Sequence, residues 1–252
     1  MRRVVVTGVG AVSPCGKDTE STWASVVEGR SGIARIARFD PSDLASQIAG
    51  ECNDYDPEFF IEKKRLREMA RFIHHGIGAS QMAFDASGFE ATDEEMERVG
   101  TFIGVGFCGI EVVEEQHSRL VDKGARRVSP YFIPSAISNL ASGQVSMRFG
   151  MKGPSFTIAS ACSSGAHCIG EAYRWIQRGG IDAALAGGTE ASVTPLGVAG
   201  FASMRALSKR NDAPEQASRP FDKGRDGFVI SEGAGVMMLE ERDRAIKRGA
   251  PI

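Results

Sequence analysis

Nothing in this sequence is long and apolar enough to cross a membrane. A bilayer-spanning helix needs roughly 20 apolar residues in a row. The valine-rich start is interrupted by Thr7, Gly8 and Gly10 and runs into Ser13-Pro14, so it reads as a first strand and turn rather than a secretory leader. An excess of one charge is also missing: 30 Lys and Arg face 32 Asp and Glu, a formal net charge of -2. That balance gives no reason to expect a general affinity for nucleic acid or an anionic membrane. There is no Cys-x-x-Cys pair. The 5 cysteines, Cys15, Cys52, Cys108, Cys162 and Cys168, are odd in number, which disfavours a disulfide framework or a zinc site and fits a reducing cytosol. No G-x-S-x-G elbow occurs, which removes a serine hydrolase of that type. Internal repeats, low-complexity segments and linkers are absent too.

What is present is a regular alternation of short apolar runs with helix-compatible segments. Arg3 to Gly8, Val99 to Val105, Ser155 to Ile158, Asp182 to Gly187 and Gly235 to Glu240 read as strands. They are apolar on both faces, as strands buried between helix layers are. Helices are expected from Asp18, as cap, toward Gly29, over Phe60 to Ala86, over Ile110 to Lys123 before Gly124, and over Ser135 to Phe149 before Gly150. Thr92 and Glu95 fit a capping box for a short helix. Asn211 to Arg225, polar with two prolines, reads as a surface loop. The pattern predicts an α/β fold with a mostly parallel, five-stranded sheet.

The chemistry concentrates around Cys162. Ser155 to Ile158 is β-prone, Ala161-Cys162-Ser163-Ser164-Gly165 is a run of small residues, and a helix fits Ser163 to Arg178 before Gly179-Gly180. This is strand, tight turn, helix, with a thiol at a helix N-terminus. Unpaired N–H groups and the helix dipole there favour a thiolate and can receive an oxyanion. The bland alternative is a buried, inert cysteine. Ala166, Ile169, Gly170, Ala172, Tyr173 and Ile176 spread around the following helix, so it is expected to be covered on several sides.

Gly153-Pro154, Ala161-Cys162-Ser163-Ser164-Gly165, Ala186-Gly187-Gly188-Thr189-Glu190, Thr194-Pro195-Leu196-Gly197, Arg205-Ala206-Leu207-Ser208, Ser218-Arg219-Pro220-Phe221-Asp222-Lys223-Gly224-Arg225-Asp226-Gly227-Phe228 and Ser231-Glu232-Gly233-Ala234-Gly235 occur in that order. Together, and from Val4-Val5-Val6-Thr7-Gly8 onward, they resemble the β-ketoacyl-acyl-carrier-protein synthases, condensing enzymes of fatty acid synthesis, type II most of all. The resemblance implies one half of a thiolase-like layered αβαβα fold, with the helix after Cys162 in the centre. It implies that residues 1–252 form an N-terminal condensing-enzyme domain. A second half would carry two histidines, a lysine and a glycine-rich loop with a phenylalanine, so this chain by itself is not expected to condense.

By the same resemblance, Cys162 is the nucleophile. Phe107, Phe132 and Phe201 line the acyl pocket, and Phe107 at its floor would favour shorter acyl chains. Lys64, Arg67 and Arg205 dock an acyl carrier protein, with Glu68 standing where the family often has another base. Substrates would arrive on the carrier's phosphopantetheine; no metal or other cofactor is implied. The full-length enzyme is expected to be a cytoplasmic homodimer, with Phe132 in a segment that crosses the interface.

Other readings stand beside these. Gly104-Val105-Gly106-Phe107-Cys108-Gly109 matches a dinucleotide-binding fingerprint, but no strand ending in an acidic residue follows. The basic run Lys63, Lys64, Arg65, Arg67 and Arg71 reads equally as a solvated face. His167 lies five residues past Cys162, rotated away from the helix start, and reads as a hydrogen-bonded histidine. Asp222, Arg225 and Asp226 read as a structural ion-pair loop. A polyketide ketosynthase shares these motifs, a thiolase or chalcone-synthase relative shares the cysteine, and a non-catalytic chain-length factor usually lacks it.

Overall fold

The computed structural model describes residues 1–252. Seven strands and nine helices form in chain order. The valine-rich start is strand β1, Val4–Val12. Helix α1, Thr19–Val27, follows, and Asp18 caps it by accepting the Ser21 N–H at 2.8 Å. Strands β2, Ile33–Arg35, and β3, Ile48–Gly50, make a small antiparallel ribbon that sequence patterning did not reveal. Next come α2, Lys63–Leu66, α3, Arg71–Ser87, and strand β4, Val99–Gly104. Helices α4, Ile110–Lys123, α5, Phe132–Ala136, and α6, Leu140–Phe149, lead to β5, Ser155–Phe156. Then follow α7, Ser164–Gln177, β6, Ala183–Glu190, α8, Pro195–Ser203, β7, Gly233–Glu241, and α9, Arg242–Lys247.

All five expected strands join one sheet in the order β1-β7-β6-β4-β5. Strand β4 pairs in parallel with β5 and β6, whereas β7 runs antiparallel to both β6 and β1. Four strands therefore share a direction and β7 opposes them. Every residue of β4 is buried, because helices cover both faces. Its side chains alternate: Val99 and Ile103 join the core under α3 and α6, while Phe102 joins the core under α7. Next to the β1 edge, Glu240 of β7 is fully buried and held by Thr7 Oγ1 at 2.6 Å, Arg244 at 2.8 Å and Arg248, which ties β1, β7 and α9 together.

Two expected helices are broken. Instead of one helix over Phe60 to Ala86, α2 ends at Leu66 and α3 begins at Arg71. The intervening turn drops Met69 and Ala70 into the core, and Ala70 sits extended with ψ 162. Ala70 has no capping side chain, and Glu111 of α4 supplies one by accepting the Arg71 N–H at 2.8 Å. Likewise Ser135 to Phe149 divides into α5 and α6, with Ile137 extended between them at ψ 134. Thr92 and Glu95 do exchange the reciprocal capping bonds, at 2.7 and 3.2 Å, but the element is a single 3-10 turn, Glu95–Arg98. Helix α7 buries Cys168, Ala172 and Ile176 against the sheet, yet Ala166, His167, Gly170 and Tyr173 face outward and are exposed. The expected covering on several sides is not completed by residues 1–252, because no other element of the chain packs over that face.

Candidate active site

Strand β5 delivers the chain to Cys162 through a turn knitted by serines. Ser160 donates its N–H to Ser164 Oγ at 2.9 Å, and that hydroxyl donates to the Ala161 carbonyl at 2.6 Å. The Ser163 hydroxyl donates to the Ser160 carbonyl at 2.7 Å. Ala161 is left-handed, with φ 52, a conformation that costs a non-glycine residue on the order of 1 kcal/mol. The sharp reversal puts Cys162 at the start of α7, exposed, with its own N–H free of any backbone acceptor. The sequence placed the thiol on this turn; the left-handed alanine before it was not foreseen.

Glycines let α7 come this close. A Cβ on Gly104, the last residue of β4, would stand 2.4 Å from the Ser164 backbone. One on Gly188 of β6 would stand 2.9 Å from the Gly165 Cα. The start of α7 therefore rests directly on the ends of β4 and β6.

The segment after β4 lies beside the Cys162 turn. Val105 donates its N–H to the Ile158 carbonyl at 3.3 Å. A Cβ on Gly106 would be 3.1 Å from the Ala161 carbonyl oxygen and 3.2 Å from Glu190 Oε2. Phe107, next in line, donates its N–H to Glu190 Oε2 at 3.0 Å and leaves about half its surface open. The Phe107 backbone is thus held next to the segment that touches the turn. Glu190 is the residue that sequence reasoning missed: it appeared only inside a quoted motif, with no role. Burial pushes its carboxyl above the usual carboxylate range.

The remaining expected residues lie on other elements. Phe201, on α8, packs edge-on against Phe228 at 5.5 Å and borders the small core formed by Ile36, Val193, Val198, Leu207 and Ile230. Phe132 opens α5 and is half-buried. Arg205 is exposed just past α8, in a left-handed conformation with φ 58. Lys64 and Arg67 are both exposed around α2. Lys64 pairs with Glu62 at 2.8 Å, Lys63 with Glu58 at 3.2 Å and Arg65 with Glu68 at 3.7 Å, which leaves Arg67 outside the local pairs. Such exposed pairs are worth little and exchange readily.

None of the histidines hydrogen-bonds Cys162. His167 Nδ1 lies 2.7 Å from Ser160 Oγ, the hydrogen-bonded state expected of it. His75 is buried and His74 half-buried in α3, and desolvation lowers the pKa of both, that of His75 to about 4. His117 is exposed on α4. Cys52, His75 and Glu232 do converge, with ligand-type atoms within 4.8 Å of one another. Two guanidiniums face the same carboxylate, however: Arg38 forks onto Glu232 at 2.7 and 2.9 Å, and Arg71 lies at 3.5 Å. Burial pushes the Cys52 thiol up to about 12. This trio is a buried ion-pair network with two neutral neighbours. In the loop after α8, Asp226 accepts from the Ser208 hydroxyl at 2.8 Å and the Lys209 N–H at 2.9 Å, and Asp222 accepts from the Gly224 N–H at 2.6 Å. Those carboxylates shape the loop.

A layered α/β sheet with a cysteine turn at the head of α7 defines a condensing-enzyme domain of the thiolase fold. Residues 1–245 match the family described as Beta-ketoacyl synthase, N-terminal domain, and the chain belongs to that family. A 3-oxoacyl-acyl-carrier-protein synthase 2 from Vibrio harveyi is 50% identical over 251 residues, covering 100% of this chain and 60% of the relative. The crystal structure of a β-ketoacyl synthase from Burkholderia phymatum superposes with a TM-score of 0.88 at 32% identity, covering 100% of this chain and 62% of that one. A type II polyketide-synthase acyl-carrier protein in complex with its ketosynthase gives a TM-score of 0.87 at 27% identity, over 99% of this chain and 60% of that one. The chain therefore spans about three-fifths of the length of the relatives it matches.

Proposed function

We propose that this chain is the acyl-accepting part of a β-ketoacyl-acyl-carrier-protein synthase of fatty acid elongation. The observation that carries the proposal is the exposed Cys162 at the N-terminus of α7 with its N–H unclaimed. The Cys162 thiolate attacks the thioester carbonyl of an acyl group on carrier-protein phosphopantetheine. The tetrahedral oxyanion is received by the Cys162 N–H, and collapse expels the carrier thiolate and leaves an acyl-cysteine. In the second half-reaction, malonyl carrier loses carbon dioxide and its carbanion attacks the acyl-cysteine, releasing the Cys162 thiolate and a β-ketoacyl carrier. That step needs proton-handling histidines, and none of the four in this sequence hydrogen-bonds the thiol. The 252-residue chain alone is expected to become acylated without condensing.

Phe107, beside the turn, serves as the pocket floor, with Phe132 and Phe201 as further walls. Lys64, Arg67 and Arg205 form the docking set for an acidic carrier. The working enzyme is a cytoplasmic homodimer with no metal or other cofactor. A polyketide ketosynthase is the second reading, supported by the polyketide neighbour described above. The higher identity to 3-oxoacyl-acyl-carrier-protein synthases supports the fatty acid reading. The presence of Cys162 argues against a non-catalytic chain-length factor. Mixing the chain with an acyl carrier protein and mapping adducts by mass spectrometry tests the proposal. A single acyl group on Cys162 is expected; no adduct, or one elsewhere, overturns it.

A further inference from the structure

We infer that Glu190 is the positioning residue of the Cys162 turn, acting through Gly106 and Phe107. The inference rests on the acyl-transfer reading of Cys162. Glu190 is the last residue of β6, and the register Gly104↔Gly188 brings it alongside the segment that leaves β4. Its carboxylate faces three donors. Oε2 accepts the Phe107 N–H at 3.0 Å. Oε1 accepts the Ala191 N–H at 3.2 Å and the Ser192 hydroxyl at 3.0 Å.

Only a carboxylate meets this demand. It has two oxygens and about four acceptor sites and brings no N–H of its own. A glutamine amide has one oxygen, and its NH2 would confront either the Phe107 amide or the Ala191 amide. The placement is costly, since burial disfavours the charged form. The arrangement therefore needs a return, and the geometry supplies one. The Gly106 backbone, next to the Phe107 amide that Glu190 holds, lies against the carbonyl of Ala161, the residue in the unfavourable left-handed conformation. Ser163 and Ser164 brace the turn from the α7 side. Gly106, backed by Glu190, braces it from the sheet side. Release of that brace lets Ala161 relax toward ordinary backbone angles and carries Cys162 off the head of α7.

The test compares Glu190→Gln with Glu190→Ala. Both remove the same charge, so any direct field effect on the thiol is equal in the two. Glutamine can still offer its oxygen to the Phe107 N–H, and alanine cannot. The readout is the rate of Cys162 modification by iodoacetamide, followed by peptide mass spectrometry, with Cys15 labelling as an internal monitor of unfolding. The expected result is slower Cys162 modification in the alanine variant by about fivefold, the worth of one hydrogen bond, with Cys15 unchanged. A Cys162 rate in Glu190→Ala equal to that of the unsubstituted chain overturns the inference. Should Glu190→Ala fail to fold, Gly106→Ala presses the same contact from the opposite side, and an unchanged Cys162 rate there overturns it as well. Iodoacetamide needs no acyl recognition. Failure of the wild-type chain to accept an acyl group would remove the acyl-transfer reading while leaving this comparison intact.

Discussion

The two faces of the sheet are built differently. On the α3 side, 22 buried residues form one core that includes Phe72, Ile73, Ile77, Val99, Ile103, Leu185 and Met238. On the α7 side only 8 do so, and the outward face of α7 is bare. The larger apolar burial makes the α3 side the source of most of the stability. The α7 side instead holds the left-handed Ala161, the free Cys162 N–H and the costly Glu190 carboxylate. The left-handed turn and the exposed thiol lie where the packing is thin, and the thick side carries the energetic cost of that placement.

This contrast can be broken at either face. Cys162→Ser should abolish the acyl adduct completely while leaving the melting temperature unchanged, because the side chain is exposed; a shifted melt would mean that the turn also holds the fold together. Ile73→Ala, at a fully buried position of α3, should cost about 2–5 kcal/mol in denaturant unfolding. Tyr173→Ala, on the open face of α7, should stay within about 0.5 kcal/mol, and a comparable loss at both sites would erase the distinction.

Acid should act through the α3 side as well. Burial, and after it the neighbouring Arg71, disfavour the charged form of His75 and lower its pKa in the folded chain from the ordinary 6.5 to about 4, with Glu232 opposing. The folded value is the lower one, so the unfolded chain binds the extra proton. Stability contributed by the neutral imidazole is present above pH 6.5 and falls as pH drops toward 4, by roughly 3 kcal/mol. His75→Gln should flatten that part of the stability–pH curve measured by urea unfolding. The smallest structural effect is expected at the surface. Charge reversal at Lys64 and Arg67 should leave the melt unchanged and weaken carrier binding, with a salt-dependent loss in a titration.

How far the sequence could be read depended on the range of the interaction. Each expected strand lies where apolar runs between glycines put it, and Asp18 caps α1 through a residue three positions away. The break before α3 was hidden because its cap, Glu111, comes from another helix 40 residues on. The ribbon of β2 and β3 was hidden because three-residue strands carry no period to detect. Phe107 was legible through a motif, whereas Glu190 was not, since the distant Phe107 amide reaches it only when β4 and β6 align.

The amino-acid sequence alone determined the strand–turn–helix around Cys162, the α/β alternation and the family, because each rests on local spacing and on the order of short motifs. Tertiary structure alone decided that β7 opposes the other strands of the sheet and that Gly106 bears on Ala161. It also decided that Glu190 serves two segments at once. Those facts depend on register between distant strands, and register is settled by which side chains can be buried together, a property of the whole chain and not of any stretch of it.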